Sequence, residues 1–213
     1  MRDFPFFPTD YGVSSLILQE IPYRQEAYIH ILDVQEGMLR EHLNECVTFC
    51  RMAGAEKIYG TGDGLEDYPE FTSVLEMRGD SRSDPEMRAC LFPVTAELAG
   101  KWREIYNREM RDVDNAHTLQ SREESGLSQK SGAYFIHDNG ELLGIGWMED
   151  NKLLAVAGVR KGVGERLMHT LMSLTEGEQM VLEVASTNAP AIRLYEKMGF
   201  IPTRVVKKWH ILG

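Results

Sequence analysis

Two stretches of this sequence combine residue types that can act on a bound group. The first, VRKGVGERLM at 159–168, sets Gly162 and Gly164 where an apolar run gives way to a helical one. Glycines there let the backbone bend and leave amides uncovered. The free N–H groups of a helix's first turn, backed by the macrodipole, attract an anion. Arg160 and Lys161 add two cations beside them, which a diphosphate would favour. A tight strand-to-helix turn with no ligand needs the same glycines. The second stretch, LEVASTNAPAIRLYEKMGF at 182–200, places Asn188, or Thr187 before it, as a helix cap and Pro190 in the first turn. Ala191, Leu194, Tyr195 and Met198 follow at i, i+3, i+4 and i+7, so Tyr195 faces inward. Gly199 suits a left-handed stop and Phe200 opens the next strand. An inward phenol must find a hydrogen-bond partner: it is core filler tied to the backbone, or a proton donor aimed at a bound group. Glu183 is a lone carboxylate in an apolar run, which is costly unless hydrated or paired. It either points to solvent on an edge strand, or is a base whose burial raises its affinity for a proton.

In order and spacing the two stretches together resemble the Gcn5-related N-acetyltransferase (GNAT) superfamily. That family has a Gln/Arg-x-x-Gly-x-Gly/Ala loop, a later Asn, and a Leu-Tyr-x-x-x-Gly-Phe helix, matched here by Gly162, Gly164, Asn188, Leu194, Tyr195, Gly199 and Phe200. The family's Gln/Arg position falls on Val159, with Arg160 one residue later. The likeness covers residues 89–213, and LEV at 182–184 followed by Asn188 is most like the branch that acetylates protein N-termini, the ribosomal-protein alanine acetyltransferases. It implies an α/β fold: a mixed, mostly antiparallel twisted sheet with a splayed parallel strand pair and flanking helices, plus a smaller N-terminal α/β part. It also implies acetyl-CoA as cosubstrate and no metal. Ala155 and Val156 would bond its pantetheine arm, and Val159, Arg160, Lys161, Gly162, Val163 and Gly164 its diphosphate, with Asn188 and Tyr195 closing the site. The implied chemistry is direct transfer of an acetyl group to a primary amine, with Glu183 as a water-mediated base and Tyr195 as the acid that protonates the departing thiolate. Backbone amides of the LLAVA run would polarise the thioester carbonyl. A non-catalytic acyl-CoA-binding or interaction module derived from such an enzyme would carry the same residues.

These residues need elements to position them. YIHILDV reads as a strand, EGMLREHLNECVTFCRMAG as a helix stopped by Gly54, EKIYGTGDG as a short strand and loop, and FTSVLEM as another strand. MRGDSRSDPEMR, 77–88, is polar and aperiodic and reads as a connector, dividing an N-terminal part, 1–88, from a catalytic domain, 89–213. Then come a strand (ACLFPVT), an amphipathic helix with Leu98, Trp102, Ile105 and Tyr106 on one side, and a polar segment 113–128. A hairpin turning at Asp138-Asn139-Gly140 and the strand KLLAVAGV lead into the two stretches above. Residues 37–63 echo 162–187 as helix, break, strand and polar loop, as a degenerate tandem repeat or parallel packing needs would produce. The N-terminal part lacks a cationic Gly-x-Gly loop, so it is expected to bind no CoA.

Composition closes off other chemistries. The net charge is −10, shared as 8 Lys+Arg against 17 Asp+Glu in residues 1–88 and 15 against 16 in 89–213. Such a chain repels a polyanion and attracts amines, so nucleic acid is not expected as a partner. No apolar run approaches the ~20 residues that span a bilayer, and Asp3 and the early prolines argue against a signal peptide. The N-terminal aromatics are expected to pin that end onto a core. Cys46, Cys50 and Cys90 read as reduced core thiols, with a cytoplasmic location as the default. The six histidines show no metal spacing and no nucleophile partner. The glycines of YGTGDGLED sit among acids that oppose phosphate and read as a turn, and Glu123 and Glu124 read either as a solvated helix face or as part of a cationic acceptor's pocket. A homodimer is compatible with all of this.

Overall fold

The computed structural model describes residues 6–128, 132–175 and 177–213. The chain divides into two compact units, Met1–Ser73 with Val206–Gly213, and Val74–Val205.

In the first unit, strands β1 (Phe6–Pro8), β2 (Gly12–Ile17) and β3 (Glu26–Val34) pair antiparallel in sequence, with a short helix α1 (Ile21–Arg24) between the last two. Helix α2 (Leu39–Met52) then crosses over and β4 (Lys57–Thr61) returns parallel to β3. The pairing is unbroken from Glu26–Lys57 to His30–Thr61. The end of strand β11 (Ile201–Ile211) lies antiparallel to β4. Leu43, Cys46 and Cys50, at helical spacing on α2, meet Leu16, Ile29 and Ile58 in the core. Burial pushes the thiols of Cys46 and Cys50 up, to about 11 and about 12. Phe7 packs on Phe49 with ring centres 4.7 Å apart, whereas Phe6 is exposed and Phe4 lies outside the described residues.

The second unit holds the sheet order β11-β5-β10-β9-β8-β7-β6, with β5 (Glu70–Asp80) entering it at Val74. Strands β6 (Cys90–Pro93), β7 (Ala133–Asp138), β8 (Glu141–Glu149) and β9 (Lys152–Gly158) form an antiparallel meander, and the β7–β8 turn takes Asn139 and Gly140 at positive φ. Helix α3 (Ala99–Glu109) and the short α4 (Glu124–Ser128) cover one face through Trp102, Ile105, Tyr106 and Leu127. On the other face, helices α5 (Gly164–Met172) and α6 (Ala189–Lys197) flank β10 (Gln179–Ala185) and bury Leu167, Met168, Leu171 and Tyr195. The architecture is the expected mixed, mostly antiparallel sheet with flanking helices. The echo between the two stretches is a shared strand–helix–strand crossover, β3-α2-β4 and β9-α5-β10, each returning parallel to its first strand.

Two expectations need correction. The polar stretch from residue 77 is not all connector: Met77–Asp80 complete β5, because pairing with β10 satisfies their backbone regardless of side-chain polarity. Only the part after Asp80, with a 3₁₀ turn at Pro85–Met87, is irregular. Cys90 is not a core thiol but is exposed, since it stands on β6, the last strand of this unit's sheet. Among the described residues, no helix is long and apolar enough to cross a membrane.

Glu76, buried on β5, is the electrostatic knot of this unit. It accepts from Arg204 (2.7 and 3.0 Å), Arg78 (2.9 Å) and Thr203 (3.0 Å). The guanidinium of Arg204, then that of Arg78, holds its carboxyl down at about 2. A carboxyl lowered in this way stabilises the fold above its unfolded value of about 4.3 and loses that contribution as pH falls toward 2. Glu76→Gln should therefore lower the urea midpoint at pH 7, with the gap to wild type narrowing between pH 4.5 and 2.

Candidate active site

The parallel pair in the second unit separates almost as soon as it forms. β9 and β10 share two rungs, Lys152–Val181 and Leu153–Leu182, and no more. At that point the β8–β9 register shifts: Met148 opposes Leu153 while Trp147 opposes Ala155, leaving Leu154 as an extra residue. A bulge bends and twists its strand. Beyond it Ala155–Gly158 continue along β8 with no ladder to β10. A cavity of about 360 Å³ lies there, lined by Leu154–Gly158, Glu183–Ala185, Asn188, Ala191 and Tyr195, with α3 and the turn after it forming the far wall.

Tyr195 reaches this cavity because the ends of α6 are fixed. Asn188 Oδ1 caps the helix by accepting from Ala191 N at 3.3 Å, Pro190 fills its first turn, and Gly199 stops it at φ +85°. Phe200 N then donates to Tyr195 O at 2.9 Å, and the Phe200 ring sits against Gly79, where a Cβ would come within 2.8 Å. Tyr195 is 8% exposed, and among the described residues its side chain makes no hydrogen bond. Burial pushes the phenol up to about 12. The backbone bond expected of a core tyrosine is missing, and the ring instead lines the cavity.

The glycine stretch 159–164 joins β9 to α5. Gly162 holds φ +83°, with open space where a Cβ would stand. Val159 donates its N–H to Leu143 O (2.9 Å) and turns its side chain to the core shared with α3. Arg160 is tied to Glu141 (2.6 Å) and Arg166 to Asp138 (3.0 Å), whereas Lys161 makes no such pair among the described residues. A hollow of about 330 Å³ lies over Arg160, Gly162, Val163 and Arg166. Where a Gly164 Cβ would stand, Leu194 of α6 is 2.9 Å away. Thus α5 begins against the helix that carries Tyr195, and the two sequence stretches are brought together.

Glu183 lines the same cavity, but the expected burial is absent: its side chain is 37% exposed and accepts from Lys152 Nζ at 2.7 Å. Nor is it on an edge strand, since β10 has β9 on one side and β5 on the other, with Glu76 as its cross-strand partner. Glu123 and Glu124 are spent locally. Glu123 accepts from Gln120 N and pairs with His117, and Glu124 pairs with Arg103 at 2.7 Å. The acids that do line the far wall, Glu109 and Asp114, lie with His117 at the end of α3 and in the turn made by Asn115 at φ +59°. Sequence reasoning missed them because a polar turn has no period. The Gly62 and Gly64 loop belongs to the other unit, where a Cβ on Gly62 would meet Ile31 at 2.7 Å, a packing reason for glycine. Among the described residues no group of three His, Cys, Asp or Glu gathers as a metal would require.

Residues 99–200, from the first residue of α3 to Phe200, match the model of the acetyltransferase (GNAT) family. No curated protein sequence matches the chain. Similar solved structures include a GCN5-related N-acetyltransferase from Anabaena variabilis ATCC 29413, with TM-score 0.61 and 11% identity over 94% of this chain and 59% of that one. Another is a GCN5-related N-acetyltransferase from Sphaerobacter thermophilus, with TM-score 0.52 and 12% identity over 93% and 75%. A functionally unknown conserved protein from Staphylococcus epidermidis ATCC 12228 matches with TM-score 0.56 and 11% identity over 99% and 94%. At these identities the likeness is one of fold.

Proposed function

Because residues 99–200 match the acetyltransferase (GNAT) family and the fold is shared with solved GCN5-related structures, we propose that this chain is an acetyl-CoA-dependent N-acetyltransferase acting on a primary amine. The catalytic part is residues 89–213. One observation carries the reading: a largely buried tyrosine, its hydroxyl unpartnered among the described residues, lines the slot left where β9 parts from β10.

The residues present fit the cosubstrate. Ala155 and Val156 offer strand amides and carbonyls with no ladder across the slot. Gly162, Val163 and Gly164 open the start of α5, with Lys161 beside it as an uncommitted cation. Acetyl-CoA supplies an activated acyl group as a thioester. Backbone N–H groups of β9 face the charge that develops on the carbonyl oxygen. Glu183, through water, takes a proton from the attacking ammonium, and Tyr195 gives one to the sulfur as the carbon–sulfur bond breaks and the carbon–nitrogen bond forms. The ammonium loses two protons and the sulfur gains one, so one proton is released per turnover. Val159 contributes apolar packing, and Arg160 is anchored by Glu141, so neither is a strong grip on the diphosphate. The LEV run and Asn188 favour the protein N-terminal acetyltransferase branch for the base and its water; the acceptor is set by the far wall.

Residues 1–88 read as a degenerate GNAT-like half without a CoA site, since the β3–β4 pair stays zipped through five rungs. Three unpaired thiols suit a cytoplasmic setting. The test is thiol release from acetyl-CoA over an amine panel. Wild type should turn over, and Glu183→Gln should lose at least about tenfold in kcat while acetyl-CoA binding changes by less than about twofold. Lys152→Met, which removes the ion pair and keeps the carboxylate, separates loss of the base from loss of the pair. Absence of thiol release in wild type with every amine, despite tight acetyl-CoA binding, would favour a binding module.

A further inference from the structure

Three carboxylates line the cavity, one on β10 and two at the end of α3 and in the turn after it. Glu109 closes α3, Asp114 stands in the following turn, and Glu183 projects from β10 beside Leu154. Among the described residues no lysine or arginine lines the cavity. Two of the three carboxylates have cations behind them: Glu109 meets the exposed Arg108 at 2.7 Å, and Glu183 meets Lys152. Asp114 has no ion pair among the described residues, and His117 is held against Glu123 at 3.1 Å. The independent sign that a ligand enters is Tyr195, nine-tenths buried, lining the same cavity with its hydroxyl unpartnered among the described residues.

We propose that the acceptor is a small aliphatic amine carrying a second positive charge, and that acceptors bearing a carboxylate, free amino acids among them, are excluded. The inference rests on the acetyltransferase reading. The second ammonium meets Asp114, with Glu109 beside it, while the reacting nitrogen faces Glu183 and the slot. An acceptor carboxylate meets no lysine or arginine among the described residues of the cavity and faces three like charges. A volume of about 360 Å³ is at the lower end for ligand sites and suits a short chain. The step is the balanced one above: the nitrogen–acetyl bond forms, the carbon–sulfur bond breaks, and the distal ammonium keeps its proton.

Three acceptors of one length and different termini decide it: 1,4-diaminobutane, n-pentylamine and 4-aminobutanoate, each with acetyl-CoA and the full chain. The expected order in kcat/KM is diamine, then monoamine by at least about tenfold, then amino acid, with the diamine's advantage shrinking as salt rises. Asp114→Asn should pull the diamine-to-monoamine ratio toward one. Glu109→Gln should do so less, because Arg108 already offsets that charge. A ratio at or below one in wild type, or 4-aminobutanoate as the best acceptor, overturns the proposal. Binding is read separately from turnover, as a rise in Tm of the CoA-loaded protein. Diamine binding without thiol release would sink the enzyme reading and leave the acceptor class standing. Turnover without a diamine preference would do the reverse.

Discussion

Tyr195→Phe is expected to lower kcat by about 10²-fold or more while leaving acetyl-CoA affinity within about twofold. The substitution removes one oxygen that has no protein partner, so packing is preserved. The ring still packs with residues of α5 and β10, and among the described residues no group loses a hydrogen bond. Burial keeps the phenol protonated up to about 12, so the acid is present across the neutral and mildly alkaline range. The deficit should therefore be nearly constant from pH 6 to 9, and the alkaline limb of the wild-type profile should belong to another group. A phenol this weakly acidic can still protonate the sulfur, because burial beside Tyr195 penalises the thiolate as well, and both groups shift in the same direction. Single-turnover thiol release with a saturating amine is the measurement. A variant as fast as wild type would remove Tyr195 from the chemistry.

Gly164→Glu is expected to weaken acetyl-CoA binding by between about 10²- and 10³-fold without unfolding the protein. An added carboxylate at the first residue of α5 stands where the diphosphate would meet free amides. Two like charges about 4 Å apart at an effective dielectric of about 20 repel by ~4 kcal/mol, close to three factors of ten. The fold tolerates the change better than the ligand does. A negative charge at a helix N-terminus is itself favourable, and the new Cβ meets only the mobile end of Leu194 at 2.9 Å. Isothermal titration should show the loss of binding, and Tm without ligand should shift by only a few degrees. An unchanged Kd would mean that the diphosphate is held elsewhere.

The sequence was legible where structure is decided locally. The cap, first turn, inward tyrosine and left-handed stop at Asn188, Pro190, Tyr195 and Gly199 are each decided within a few residues, and each stands as its sequence implied. The same holds for Gly162 and for the Asn139-Gly140 turn, where positive φ restricts the residue type. What failed depended on neighbours distant in sequence. Glu183 left open whether it is hydrated, paired or buried, and only the position of Lys152, thirty-one residues earlier, makes it a partly exposed ion pair on an inner strand. Residues 77–80 looked like linker until β10 supplied their backbone partners. Cys90 looked like core, but strand order leaves β6 at the end of its unit's sheet.

By itself, then, the sequence determined the alternation of elements, the helix ends and the positive-φ turns, since these follow from backbone preferences and side-chain chemistry acting over one or two turns. Tertiary structure alone decided that Leu154 bulges, that β9 leaves β10 after two rungs, and that Glu109 and Asp114 face the slot so opened. A register shift costs a strand nothing that its own residues reveal. It is set by which partner satisfies each backbone group, and that is a property of the folded sheet.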